Sequence, residues 1–323
     1  FSDSGSTSVE VALKMALGYW ANRGEPRHRI LVLDHGYHGD TIGGMSVGAR
    51  GVFNAPYAPL LFDVGSLPFP HAGQEQATLD ALETYCRAPE APAALIVEPL
   101  ICGAGGMLIY APEVLAEMSA ICARHHVLFI ADEVMTGWGR TGSLLACEQA
   151  GIVPDIICLS KGLTGGALPL AVTVATPEIF EAHHSPDRAK MFFHSSSYTA
   201  NPIACAAARA NLEIWRDEPV IERIAALSAL QRTHLDRLAA LPGVSNARAI
   251  GTITALEVGA GNGDYLSSLG PRLLAFFGER DLLVRPLGNT IYVMPPYCIL
   301  AADLAAVHDA VADAVEWAAR GAS

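Results

Sequence analysis

Five short apolar runs constrain the fold of this chain more than any other feature: Arg29 to Leu33, Ala93 to Glu98, Val127 to Asp132, Ile156 to Ser160 and Leu170 to Ala175. Their apolar residues are consecutive rather than alternate, so a strand made from any of them turns both faces away from water. Helical stretches lie between or after them, at Pro112 to His125 and Asn201 to Trp215. Strands of this kind, separated by helices, pack as a mostly parallel sheet covered on both sides. The expected class is therefore α/β. Upstream, Val9, Leu13, Ala16, Leu17 and Trp20 recur at helical spacing over Ser6 to Trp20, and Thr7 with Glu10 fits a capping box.

After about Asp217 the texture changes to a long helix (Pro219 to Ala240), strands within Val244 to Val258 and Leu282 to Met294, and a last helix from Ala301 to Ala319. This divides the chain into a large domain over residues 1–216 and a smaller C-terminal α+β domain over 217–323. With 323 residues, 51% of them hydrophobic and 17% charged, there is enough apolar material for both cores. A formal net charge of −12 without any basic run repels a phosphate backbone, so nucleic acid is not an expected partner. The seven cysteines are scattered and never form a Cys-x-x-Cys pair, as in a reduced, cytoplasmic compartment. No apolar run approaches the roughly 18 to 20 residues that span a bilayer, and the first residues carry no signal-like pattern. Neither membrane anchor nor signal is expected.

Open α/β sheets bind ligands where their strands end, which singles out Glu98, Asp132 and Lys161. Asp132 closes a buried run, and an ionised carboxylate there needs a cationic partner. A protonated pyridine nitrogen would serve, and so would a loop cap or an ion pair with Arg140. Lys161 follows the run ending at Ser160 and precedes the glycine-bearing turn 162–166. Partial burial there would free its amine for Schiff-base chemistry, whereas an ordinary lysine is a solvated surface charge. Gly5 and Ser6 lie at a helix N-terminus suited to phosphate, or simply to capping. Tyr37, just beyond the first strand, offers a ring to a flat cofactor. Beside it His35 and His38 have a weak metal-ligand spacing with no third ligand evident. Gly137-Trp138-Gly139-Arg140-Thr141-Gly142 matches the dinucleotide pattern G-x-G-x-x-G. However, no clear helix opens at Gly142, and Asp155 begins the following strand instead of ending it, so a nicotinamide enzyme is disfavoured.

Taken together, Asp3-Ser4-Gly5-Ser6, Gly36-Tyr37-His38-Gly39, Glu98-Pro99, Ala131 to Val134 with Gly137 to Gly142, Ser160 to Gly166 and Asn201-Pro202 closely resemble the class III aminotransferases of PLP fold type I. The resemblance implies a large domain with a mostly parallel sheet, a small C-terminal domain, and pyridoxal 5′-phosphate as cofactor. It implies that Lys161 is the cofactor lysine and proton carrier, and that Asp132 faces the pyridine nitrogen. Tyr37 would pack on the cofactor and touch substrate, and Gly5 and Ser6 would hold its phosphate. Ser196 and Ser197 would reach the phosphate of a partner subunit, in a homodimer with shared active sites. Ser195 and Arg285 would bind substrate, Arg285 gripping a carboxylate with its planar fork.

Within the family, four segments are most similar to enzymes that transfer an amino group from S-adenosylmethionine to 8-amino-7-oxononanoate in biotin synthesis. They are Gly36 to Thr41 with Met45 to Val47, Gly103 to Met107, His194 to Pro202, and Arg285 to Gly288 running to Ile291 to Tyr297. The alternatives are a class III aminotransferase acting on an ω-amino acid or simple amine, or an inactive fragment. The resemblance begins inside the family pattern, whose N-terminal segment is missing here and supplies aromatic pocket residues. Other departures are a shortened stretch after Val47, Cys102 where glutamine is common, and Ser195-Ser196-Ser197 where Gly-Pro-Thr or similar residues occur.

Overall fold

The apolar runs form strands β1 (Ile30–Leu33), β3 (Ala94–Val97), β6 (Leu128–Asp132), β7 (Ile156–Leu159) and β8 (Val172–Ala175), joined by a three-residue β2 (Gly65–Leu67). Every residue of β1, β3 and β6 is buried. The computed structural model describes residues 1–259 and 267–320. The sheet order is β2-β1-β3-β6-β7-β8, parallel throughout except for antiparallel β8. A small hairpin, β4 (Ile101–Cys102) with β5 (Leu108–Ile109), follows β3. The class is α/β, as the consecutive apolar runs imply.

Edge strand β8 departs from the expectation of two buried faces. It has one neighbour in the sheet, and Val174 is half exposed. In contrast, the sheet centre is covered by α1 (Gly5–Asn22), whose Val9, Ala12, Leu13, Ala16 and Trp20 share a core with Ile30, Val32, Ile96, Ile130 and Ile156. That helical stripe is what the sequence spacing dictates. Trp20 also donates its indole N–H to the Ala93 carbonyl at 2.8 Å.

The start of α1 corrects the expected cap. Ser4 is the N-cap, and the reciprocal box is Ser4 with Thr7. Glu10 instead accepts the Gly43 N–H at 2.7 Å, fastening α1 to α2 (Ile42–Val47). The remaining helices around this sheet are α3 (Glu75–Arg87), α4 (Pro112–Arg124), α5 (Pro177–His183) and α6 (Pro202–Asp217).

Two compact units divide the chain: Phe1–Trp138 with Leu145–Asp217, and Gly139–Leu144 with the chain from Glu218 onward. The second contains α7 (Val220–Ala239), α8 (Leu269–Gly278), α9 (Ala301–Arg320) and an antiparallel sheet of β9 (Val244–Ile250), β10 (Ile253–Val258) and β11 (Thr290–Val293). The strand expected over 282–294 is confined to β11. Pro286 has no N–H to give a ladder, and Leu287 and Thr290 exchange hydrogen bonds across Gly288, whose φ is +61°.

A polar link ties this second unit together inside its core. Buried Gln231 on α7 donates Nε2–H to the carbonyls of Thr252 (2.8 Å) and Val293 (3.2 Å), which leaves its Oε1 to accept from Nε2 of His308 on α9 at 2.6 Å. His308 is fully buried and stacks on His234, ring centroids 4.6 Å apart. Burial, with help from His234 and Arg237, pushes the His308 pKa down to about 4. The ring is therefore neutral when folded but takes a proton below about 6.5 when unfolded. Stability is full above that value and falls with pH between the two, by up to about 3 kcal/mol. We predict that urea denaturation at stepped pH shows this decline, and that His308→Leu flattens it while lowering stability at neutral pH; an unchanged slope would reject a neutral buried His308.

Candidate active site

The chain runs from β1 outward to β2, then back across to β3 and on to β6, so the sheet reverses direction between β1 and β3. Loops leaving the carboxyl ends of those strands diverge there and open a crevice. Four loops converge at this edge, following β1, β3, β6 and β7. Register places Asp132 beside Cys158 and Val97 beside Ala131, so Glu98, Asp132 and the segment leading to Lys161 lie on neighbouring strand ends.

Asp132 is 4% exposed. One carboxylate oxygen, Oδ2, lies 2.7 Å from His38 Nδ1, and the other accepts the Val134 N–H at 3.1 Å. An ionised carboxylate only accepts, so the His38 Nδ1 must carry the proton. The partner anticipated in Arg140 is not used: its guanidinium donates to the Pro295 carbonyl at 2.6 Å and sits over the Tyr297 ring, within the second unit. His38 thus spends its Nδ1 on Asp132. Its Nε2 is buried and finds no hydrogen-bond partner among the described residues.

Glu98 joins the same cluster. It accepts the N–H groups of Tyr37 (2.9 Å) and Gly103 (3.1 Å), and its carbonyl accepts the Tyr110 hydroxyl at 2.8 Å. Burial pushes its pKa up to about 7, opposed by His38 and reinforced by Asp132. Tyr37 is held by its backbone while the residue as a whole remains 37% exposed. Partial burial, then a hydrogen bond to Asp40, raises its phenol to about 12. The ring therefore stays neutral through the physiological range.

The N-terminus of α1 abuts this edge. Gly5 packs so closely on Val134 that a Cβ would lie 2.5 Å from its Cγ1. Ser6 Oγ accepts the Thr41 N–H at 3.0 Å and lies 2.7 Å from its hydroxyl, while Gly39, with φ of +108°, leaves the space that Ser6 fills. Because Thr7 N–H goes to Ser4 and Ser8 N–H to the Ser4 carbonyl, the amides of Gly5 and Ser6 precede any intrahelical bond. The Ser6 hydroxyl thus serves Thr41, and its contribution to an anion is the backbone N–H.

Lys161 opens a 3-10 turn, Lys161–Thr164, just beyond β7. Its side chain is exposed, so the burial expected to free its amine is not supplied by the described residues of this chain. Its backbone is left-handed, φ +44°, which is uncommon for a residue with a Cβ and recurs at functional sites. Of the three serines, Ser196 donates to Asp3 Oδ2 at 3.0 Å, whereas Ser195 and Ser197 are exposed. Arg285 is exposed and belongs to the second unit.

Sequence reasoning missed the partnership of His38 with Asp132. The signal was available: a histidine two residues after a tight glycine turn on the adjoining loop. Another such residue is Glu133, fully buried, which accepts from the Thr136 hydroxyl (2.5 Å) and the Cys147 N–H (2.8 Å) and so ties the loop after β6 to the chain beyond it.

These residues fit pyridoxal 5′-phosphate. A carboxylate has about four lone-pair positions, and His38 and Val134 occupy only two of those on Asp132, leaving room for a protonated ring nitrogen. Uncommitted amides at the start of α1 suit a phosphate, and Lys161 supplies the amine. Among known proteins, the class-III aminotransferase family matches residues 1–315. A Synechococcus elongatus protein named adenosylmethionine-8-amino-7-oxononanoate aminotransferase is 47% identical, over 98% of this chain and 76% of its own length. The crystal structure of the enzyme of that name from Methanocaldococcus jannaschii superposes with a TM-score of 0.92 at 34% identity, covering 98% of this chain and 74% of that one. An amine transaminase from an uncultivated Pseudomonas species, solved with PLP bound, gives 0.91 at 33% identity over 98% and 76%.

The buried carboxylate yields a prediction independent of turnover. His38→Ala should leave Asp132 without its hydrogen-bonded partner and lower the stability of the cofactor-free protein by about 3 kcal/mol in urea denaturation. A loss below about 1 kcal/mol, the scale of an exposed pair, would mean that the two do not interact as a buried pair.

Proposed function

Since the chain belongs to the class-III aminotransferase family, and is thus a pyridoxal-phosphate-dependent transferase, we propose that it moves an amino group from S-adenosylmethionine to 8-amino-7-oxononanoate, a step of biotin synthesis. The reading of the site is carried by one juxtaposition: a buried carboxylate and a lysine at the ends of adjacent parallel strands, with Val134 linking that carboxylate to the start of α1. The choice of substrates is supported by the named relatives and by the Arg285 to Tyr297 segment.

When bound, the cofactor supplies a carbonyl that combines with amines and a ring that withdraws electrons from the adjoining carbon. Lys161 Nζ would hold that carbonyl and would serve as the base that moves a proton at the substrate carbon. Asp132 would face the ring nitrogen, and His38, by donating to Oδ2, would keep that carboxylate oriented. Gly5 and Ser6 offer N–H groups to the phosphate. Tyr37 would pack on the ring, Ser195 would contact substrate and Arg285 would take the carboxylate of the oxo acid. In a homodimer, Ser196 and Ser197 would complete the phosphate site of the partner subunit.

Single-turnover absorbance tests the whole reading. Adding S-adenosylmethionine to the cofactor-loaded protein should bleach the band of the lysine-bound cofactor, and 8-amino-7-oxononanoate should restore it. A band indifferent to S-adenosylmethionine but bleached by simple amines would replace the substrate assignment with an ω-amine one. Lys161→Ala should lose both the band and turnover. Arg285→Ala should raise KM for the oxo acid at least about tenfold, corresponding to ~1.4 kcal/mol, with a smaller change in kcat; an unchanged KM would remove Arg285 from the carboxylate site.

A further inference from the structure

A left-handed lysine is held in place by something, because relaxing to an ordinary backbone conformation would relieve the crowding of its Cβ. The residues flanking Lys161 are fixed on both sides. Ser160 Oγ donates to the Leu170 carbonyl at 2.8 Å, and the Ser160 carbonyl accepts the Leu163 N–H at 3.0 Å. Gly162 sits against Trp138, where a Cβ would approach the Trp138 Cβ to 2.6 Å. The strongest grip comes from outside the turn. Asn211 Nδ2 donates to the carbonyls of both Gly162 (2.8 Å) and Leu163 (3.2 Å).

Asn211 stands on α6 in a stripe with Ala204, Ala208 and Trp215, at helical spacing. Ala204 and Ala208 belong to a core with Trp138, Leu163 and Leu170, against which Trp215 packs. Asn211 is the polar member of that stripe, half-buried, and its amide is spent on the two carbonyls that follow the lysine. A leucine would suit the stripe equally well for packing and would leave those carbonyls to water. A packing role alone therefore does not explain an amide here.

We propose that Asn211 is the positioning residue for Lys161, clamping the turn whose backbone sets where Nζ leaves the strand end. The proposal rests on the reading of Lys161 as the cofactor lysine. Asn211→Asp preserves size but replaces the donor with an acceptor facing two carbonyls; Asn211→Ala deletes the group.

In the resting, cofactor-loaded protein, both variants should shift the pH midpoint of the lysine-bound cofactor band by at least about half a unit, since that midpoint reports the geometry and surroundings of Nζ. Displacing a reacting group by about 1 Å costs on the order of 100-fold in rate, so kcat should fall about 10- to 100-fold, with KM for both substrates within about twofold. A purely structural residue would instead lower the urea midpoint and the loaded fraction, while the loaded molecules kept the wild-type band midpoint and kcat. That outcome overturns the proposal. If Asn211→Asp does not fold, the same measurements on Asn211→Ala decide. Lys161→Ala separates the two levels: a band that persists in it refutes the lysine assignment itself, whereas a band lost there but unaltered in the Asn211 variants refutes only the clamp.

Discussion

A carboxylate withdrawn from water at the end of β6 governs the arrangement of everything near it. Charge in such a place is tolerated only with hydrogen-bond donors on it, and Asp132 draws them from its own loop through Val134 and from the loop after β1 through His38. Glu98 then links the loop after β1 to the one after β3 by accepting from Tyr37 and Gly103. The same Val134 is the surface on which Gly5 closes, bringing the start of α1 to the carboxylate. Two buried carboxylates, Asp132 and Glu98, thus tie together three loops and a helix end.

The sheet was legible because burial of both strand faces leaves a plain mark, consecutive apolar residues, and because a polar residue ending such a run is conspicuous. Asp132, Glu98 and Lys161 stand out on that basis. The donors that satisfy them come from loops brought together by the sheet order, and one-dimensional spacing carries no information about that order. Hence the spacing offers His38 as a metal ligand and Arg140 as a partner of Asp132, and gives no sign of the Thr41 contacts that engage the Ser6 hydroxyl. The helix start was displaced for a related reason: both Ser4 with Thr7 and Thr7 with Glu10 have the spacing of a box, and only the folded chain shows Glu10 committed to Gly43.

The exposed Lys161 bears on how its reactivity arises. Depressing a lysine's pKa by burial is one route to a free amine, but the described residues of this chain leave its side chain accessible. What they supply is a constrained backbone, with φ at +44° between a fixed serine and a glycine pressed on tryptophan. Restricting where the amine can be lowers the entropic cost of reaching the reacting carbon. On the proposed reading of Lys161, orientation would come from the protein and electron withdrawal from the cofactor.

Charge adds a final constraint. A chain with a formal net charge of −12 presents an unfavourable long-range field to a phosphate and to an oxo acid alike. Binding such groups must rely on local donors, which screening by salt scarcely weakens at contact distance. On the proposed reading, the amides at Gly5 and Ser6 and the guanidinium of Arg285 would be donors of that kind. A sulfonium donor such as S-adenosylmethionine meets the opposite situation, because an acidic surface favours its approach at distances where local contacts do not act. The same net charge that makes the anionic ligands depend on short, directed hydrogen bonds therefore favours the cationic one from afar.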